Sequence, residues 1–184
     1  MTVACLAWGS LVWDPGELAI EGEWHSDGPG VQVEYLRQSK NGRLTLVLDA
    51  SATVVTALWA KMKSNELPSA VTSLAAREGI GPKSTPKFIG QWSKGQQEPI
   101  LVRELADWAS AYDVEHVIWT ALPPFFNGQL QTVTEEQALS YLVGLSGEAR
   151  EKAEQYVRMT PHQVRTRYRQ AIEATLDWVP ALAN

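Results

Sequence analysis

The chain has 184 residues and carries 16 basic against 21 acidic side chains, so its formal net charge is −5. This balance argues against a general nucleic-acid or anionic-membrane binder, and a single cysteine excludes an internal disulfide and a thiolate metal site. No apolar run reaches the ~18 residues of a membrane span and no secretion signal is recognisable, so we expect a cytoplasmic protein without a membrane partner.

Strands are predicted mainly in the first third of the chain, where short apolar and β-branched segments alternate with turn signals. The Asn41-Gly42 pair between two such segments is a strong β-hairpin signal. In chain order, the predicted strands are 3–8, 31–39, 43–49, 53–63 and 116–122.

Helical spacing and capping signals predict about five helices. The first has a candidate N-cap at Asn65 and a stop at Gly79, and the last opens at Thr160 with an apolar face that reaches Val179. The other predicted helices cover 102–112, a segment opened by a Thr134–Gln137 capping box, and 147–157. Because strands and helices do not alternate, the expected fold class is α+β with a mixed or barrel-like sheet.

Charge is distributed unevenly along the chain. Residues 1–36 carry six acids and no lysine or arginine, whereas residues 158–169 carry four arginines and no acid. We expect the last helix to dock on the sheet or on a second subunit, which leaves a homo-oligomer open. Arg165 and Arg169 would then lie at its edge as surface pairs with the acids between 14 and 27, each contributing ~1 kcal/mol or less.

Glu78 is the most informative residue of the sequence, because helical spacing places it on the apolar stripe of Val71 and Leu74. A carboxyl group that faces a core or cleft at a helix C-terminus has a raised pKa and is a candidate general base. The alternative is that the helix end frays and Glu78 turns to solvent or pairs with Arg77.

The loop after the first strand, residues 8–16, is the second candidate feature. Gly9 and Ser10 at a strand end offer unhindered backbone N–H groups and a hydroxyl, which suit a carboxylate or a developing oxyanion. The sequence fits neither a nucleophile elbow nor a phosphate-binding loop of the Walker type. An ordinary strand-to-loop turn is the alternative.

Arg37 is a third candidate, since its guanidinium can hold a substrate carboxylate bidentately, although it can equally snorkel at the end of its strand. A metal site is not expected, because the three histidines are far apart and lack the spacing of a zinc motif. They are His25, His116 and His162.

The order of these features resembles a known family over about residues 3–125. WGSLVWDPG, residues 8–16, resembles the Tyr-Gly-Ser-Leu loop of the gamma-glutamylcyclotransferase-like superfamily, which includes the ChaC-type branch. SLAAREG, residues 73–79, is similar to the segment around the catalytic glutamate of that superfamily. The resemblance implies a small mixed β-barrel flanked by helices, which we assign to residues 1–130, with a helical extension packed on it over 131–184.

The resemblance also implies a cofactor-independent acyl-transfer activity that converts a small gamma-glutamyl substrate to 5-oxoproline and a released amine. Glu78 would be the catalytic base, and the backbone at Gly9, Ser10 and Leu11 would hold the gamma-glutamyl group, with Arg37 as a further substrate contact. No metal and no cofactor are implied.

Two residues depart from the pattern of the superfamily. Trp8 replaces the usual Tyr of the loop, and Trp119 lies about where other branches carry a substrate-contacting Tyr, so both are expected to line a more apolar pocket. A binding or interaction module that keeps the fold without turnover is therefore the alternative function.

Overall fold

The computed structural model describes residues 1–180, which form an α+β fold, as the element pattern predicts. The fold has nine strands in two sheets and six helices, where the sequence predicts five strands and about five helices. The strands are β1 (Val3–Ala7), β2 (Ile20–His25), β3 (Gly30–Gln38), β4 (Leu44–Leu48), β5 (Val54–Thr56), β6 (Leu58–Met62), β7 (Ile89–Ser93), β8 (Val102–Arg103) and β9 (His116–Thr120). The helices are α1 (Leu67–Arg77), α2 (Thr85–Phe88), α3 (Leu105–Ala111), α4 (Glu135–Val143), α5 (Gly147–Met159) and α6 (Arg167–Leu176). The last four residues of the predicted C-terminal extension, 181–184, lie outside the described residues.

The first sheet is mixed, with strand order β2-β6-β1-β9-β7. Its central pair, β1 and β9, is parallel, and the other pairs are antiparallel. Helix α1 packs on one face through Leu74 against a cluster that includes Cys5 and Ile118. This packing brings the C-terminal end of α1 to the point where β1 leaves the sheet.

The second sheet has the order β4-β3-β5, with β8 pairing to β3. The predicted hairpin of β3 and β4 is confirmed, and Gly42 adopts a positive φ of 79° in its turn. Asn-Gly turns favour such φ values because glycine has no Cβ to clash with the backbone.

The single strand predicted over 53–63 is wrong, because the chain breaks at Ala57 into β5 and β6, which belong to different sheets. The backbone of Ala57 instead exchanges hydrogen bonds with a preceding turn: its N–H donates to the Pro29 carbonyl (3.0 Å), and its carbonyl accepts from the Gly28 N–H (3.1 Å). Strands β2, β7 and β8 were not predicted from the sequence.

Two predicted helix starts are also wrong. Glu66, not Asn65, is the N-cap of α1, and Pro68 in the first turn fixes the backbone there. The helix predicted from Val102 begins at Leu105, because Val102 belongs to β8. The stop at Gly79, with a φ of 66°, is confirmed.

The capping box of α4 is confirmed as well. The Thr134 hydroxyl accepts from the Gln137 N–H (3.2 Å), and the Gln137 side chain accepts from the Thr134 N–H (2.9 Å). This reciprocal pair satisfies two backbone donors at the helix start, as its sequence signature predicts.

The last helix is shorter than predicted, since α6 begins after an N-cap at Thr166 and residues 160–166 form an irregular loop. It docks on β3 and α4, and Ile172 is fully buried, so the predicted docking is confirmed. Val179, the far end of the predicted apolar face, is 44% exposed.

The position predicted for Arg169 is wrong. Its side chain is buried rather than at the helix edge, and it pairs with Glu173 (Nε to Oε1, 2.8 Å) instead of an acid between 14 and 27. Arg165 is exposed, and within residues 1–180 it forms no ion pair.

None of the helices in residues 1–180 combines the length and the apolar character that a membrane span requires.

Candidate active site

A cavity of about 560 Å³ opens where β1 ends, between the β3–β4 hairpin and the C-terminal end of α1. This volume lies in the range of small-molecule sites. Six of the seven site residues predicted from the sequence line the cavity: Trp8, Gly9, Ser10, Leu11, Arg37 and Glu78.

Trp119 is the seventh, and it does not lie among the residues that line the cavity. Its ring packs on Gly90 of the neighbouring strand β7, where a Cβ atom would come within 2.2 Å of the indole. The next residue, Thr120, lines the cavity, because side chains alternate between the two faces of a strand. The geometry gives Trp119 a packing role, and its predicted substrate contact stays a prediction.

The loop after β1 forms a tight turn that uses its carbonyl groups internally. The Val12 N–H donates to the Gly9 carbonyl (3.0 Å), and the Asp14 N–H donates to the Ser10 carbonyl (2.8 Å). Within residues 1–180, no protein acceptor takes the N–H groups of Gly9, Ser10 or Leu11. All three residues line the cavity, so their N–H groups are candidate donors to an oxygen atom there.

Glu78 is the C-cap of α1, and its side chain is only 14% exposed. One carboxyl oxygen accepts from Arg77 (Nη1 to Oε1, 3.0 Å). Burial raises the pKa of Glu78, and the Arg77 guanidinium opposes this shift without cancelling it. Glu78 thus pairs with Arg77, as one alternative predicted, and at the same time lines the cavity.

Arg77 also connects the two halves of the site. Its second terminal nitrogen, Nη2, donates to the Asp14 carbonyl at the end of the 8–14 turn. One guanidinium therefore holds both the loop and the Glu78 carboxyl, which fixes the position of the carboxyl relative to the loop.

The walls of the cavity are strongly cationic. Four basic side chains line it, and Glu78 is the one acid among the described residues that do so. The bases are Arg37, Lys40, Arg43 and Arg77. In a protein with a net charge of −5, this local excess of positive charge favours an anionic ligand.

Arg37 lies at the wall with part of its guanidinium already engaged. Its Nη1 donates to the Pro123 carbonyl (2.8 Å), and the guanidinium lies 5.4 Å from the centre of the Phe125 ring. Burial lowers the pKa of Arg37. The remaining N–H groups can hold a carboxylate, as predicted for this residue.

Tyr156 of α5 is a residue of the site that the sequence analysis missed. It lines the cavity, and its hydroxyl oxygen lies 2.5 Å from the position that a Cβ atom on Gly9 would occupy. The spacing of α5 marks Tyr156 only as part of an apolar helix face, together with Ala153 and Val157. Nothing in the sequence pairs it with a loop about 147 residues earlier.

A side chain at Gly9 would be crowded by the Tyr156 hydroxyl. We expect Gly9→Ala to lower the free energy of unfolding by ~1–3 kcal/mol, because the new methyl group meets the Tyr156 oxygen well inside van der Waals contact. Chemical denaturation of Gly9→Ala, Tyr156→Phe and the double variant measures the coupling. The double variant should recover much of the loss, and strictly additive effects would contradict the contact.

Within residues 1–180, no group of three or more His, Cys, Asp or Glu side chains is arranged to hold a metal ion. Comparisons of the chain with protein-family models, with curated proteins and with solved structures found no match.

Proposed function

We propose that this protein is a gamma-glutamyl cyclotransferase-type enzyme of the gamma-glutamylcyclotransferase-like superfamily. Its two sheets would then correspond to the small mixed β-barrel that the resemblance implies. The observation that carries the proposal is one cationic cavity that holds both a shielded carboxyl, Glu78, and the unpaired N–H groups of Gly9, Ser10 and Leu11. The geometry supports the resemblance, because the loop and the helix end that resemble the superfamily meet at this cavity.

The reaction needs only groups that the substrate and this cavity supply. The α-amine of a gamma-glutamyl compound attacks the γ-carbonyl carbon of the same glutamyl group, and a new C–N bond closes a five-membered ring. The original amide C–N bond then breaks, which gives 5-oxoproline and a free amine. Holding the folded-back conformer of the substrate supplies much of the rate enhancement.

Glu78 has the properties of the base that this reaction requires. The substrate amine is protonated at neutral pH and must lose a proton before it attacks, and a carboxylate of raised pKa accepts that proton more readily than an ordinary one. The same carboxyl then delivers the proton to the leaving nitrogen.

The loop and the basic wall have complementary roles in binding. The N–H groups of residues 9–11 hold an oxygen of the glutamyl group, as oxyanion-binding turns do. Arg37 and the other bases attract the substrate carboxylates. This charge pattern favours gamma-glutamyl compounds with a free α-carboxylate.

A binding module without turnover is the second candidate function. One observation in its favour is the Arg77–Glu78 ion pair, which occupies one oxygen of the base. The other is Trp8, which replaces the usual Tyr of the loop and is buried, with its indole N–H donating to the Leu46 carbonyl (3.4 Å). Such a protein would bind the same anionic compounds and release nothing.

Incubation with a panel of gamma-glutamyl compounds distinguishes the two functions. The panel contains glutathione, gamma-glutamyl amino acids, gamma-glutamylamines and acylated natural products, and 5-oxoproline is the product measured. We expect release from at least one compound and none from the matched α-glutamyl isomers, because their γ-carboxyl is a free carboxylate that carries no amine to release. Binding of gamma-glutamyl compounds without any 5-oxoproline would overturn the enzyme in favour of the binding module.

A further inference from the structure

Tyr156 comes from α5, which lies in the C-terminal part of the chain that the resemblance does not cover. Its ring packs edge-on against Trp13 of the loop, with centroids 5.4 Å apart, and the Arg43 guanidinium lies over the ring at 5.7 Å. The C-terminal extension therefore reaches the cavity wall at the same turn as Gly9.

The Tyr156 hydroxyl can both accept and donate a hydrogen bond, and within residues 1–180 it only accepts one. Its oxygen accepts from the Leu46 N–H of β4 (3.2 Å). Among residues 1–180, no acceptor takes the hydroxyl proton. Burial raises the pKa of Tyr156 to about 12, so the group stays protonated and remains a donor at neutral pH.

Packing alone does not account for this hydroxyl. The packing against Trp13 needs only the ring, and the Leu46 N–H uses the hydroxyl only as an acceptor, so neither contact accounts for the hydroxyl proton. A buried donor without an acceptor costs free energy, and it is explained when a ligand supplies the acceptor.

We propose that the Tyr156 hydroxyl donates a hydrogen bond to an oxygen of the glutamyl group that is held at the Gly9–Ser10 turn. This inference rests on the proposed function and adds a substrate-binding residue from the C-terminal extension. The hydroxyl and the N–H groups of the turn would then surround one substrate oxygen with several donors.

Tyr156→Phe tests the inference, with Tyr35→Phe as the matched control. Tyr35 is also fully buried and its ring contacts the Tyr156 ring, but its hydroxyl bonds to Thr160 and it does not line the cavity. Two readouts are used: turnover of the panel compound that the wild type converts fastest, and binding of L-glutamate followed by tryptophan fluorescence.

We expect Tyr156→Phe to lower kcat/KM about 10- to 100-fold, the usual effect of losing a hydrogen bond to a charged or developing charged oxygen. Tyr35→Phe should stay within about threefold of the wild type. A higher KM at unchanged kcat would assign the bond to the carboxylate, and a lower kcat would assign it to the γ-carbonyl oxygen.

Equal activity of the two tyrosine variants, with an active wild type, would overturn the inference and leave the proposed function standing. A wild type that binds L-glutamate without turnover would remove the proposed function, and L-glutamate binding by the two variants then decides the role of Tyr156. A wild type that neither converts the panel nor binds L-glutamate overturns both.

Discussion

Replacing Glu78 with glutamine is expected to reduce 5-oxoproline release about 10²-fold or more while the protein stays folded, because an amide cannot accept the proton of the substrate amine. Glutamine keeps the shape of the side chain and can still accept one hydrogen bond from Arg77. Steady-state kinetics with an active panel compound measures the effect on kcat.

The raised pKa of Glu78 gives this prediction a second, pH-dependent readout. The base must be ionised, so wild-type activity should rise with pH through a pKa above the ordinary glutamate range. The stability of the protein should change with pH in the opposite direction to its activity. A carboxyl whose pKa is raised by folding stabilises the protein at pH values below its unfolded pKa, and this contribution disappears as pH rises through the raised value. Glu78→Gln should remove that part of the pH dependence of the free energy of unfolding.

Glu66→Gln is the matched control, since Glu66 is an exposed glutamate at the opposite end of the same helix. It should leave both activity and stability close to the wild type. Full activity of Glu78→Gln with a true substrate would show that another group is the base.

Replacing Arg169 with methionine is expected to cost ~3–5 kcal/mol of unfolding free energy, the range found when a buried charged network loses one partner. The guanidinium is 1% exposed. Its terminal nitrogens donate to three carbonyls of the 160–166 loop, those of Thr160 (2.9 Å), Pro161 (2.6 Å) and Val164 (3.0 Å). Methionine fills the space but leaves these carbonyls and the Glu173 carboxyl without their donor.

Arg167→Ala is the control for Arg169→Met. Arg167 lies two residues earlier on α6, its side chain is 74% exposed, and it pairs with Glu135 at the surface (2.7 Å). Its loss should cost ~1 kcal/mol or less. Urea denaturation measures both variants, and Arg169→Lys provides an intermediate if the methionine variant does not fold. Equal losses for Arg167→Ala and Arg169→Met would show that the buried network does not hold the loop.

Local signals in the sequence were sufficient for the elements whose geometry is set by neighbouring residues. The Asn41-Gly42 turn and the Thr134 capping box were predicted because the bonds that define them join residues a few positions apart. Helical spacing placed Glu78 on the apolar face of its helix, with a frayed end or a pair with Arg77 as the alternative; its side chain is mostly buried and also pairs with Arg77.

Strand β2 was not predicted, because its own sequence carries little strand signal and its partner strand is distant in the chain. Strand β2 is mostly exposed and contains Gly22, so it carries little of the alternating apolar pattern on which sequence reasoning depends. It forms through its ladder with β6, a partner more than 30 residues later in the chain. The pairing itself supplies the stability that the local sequence does not show.

The sequence by itself therefore determined the α+β class, the loop at Gly9 and the helix end at Glu78, because periodicity, turn residues and caps act over a few residues. The tertiary structure alone decided that the chain breaks at Ala57, that Arg169 is buried and that Tyr156 meets Gly9. The break at Ala57 and the Tyr156–Gly9 approach depend on contacts between residues far apart in the chain. Arg169 has its hydrogen-bond partners within nine residues, and it is buried because α6 docks on β3 and α4, where a polar group is buried only with its partners in place.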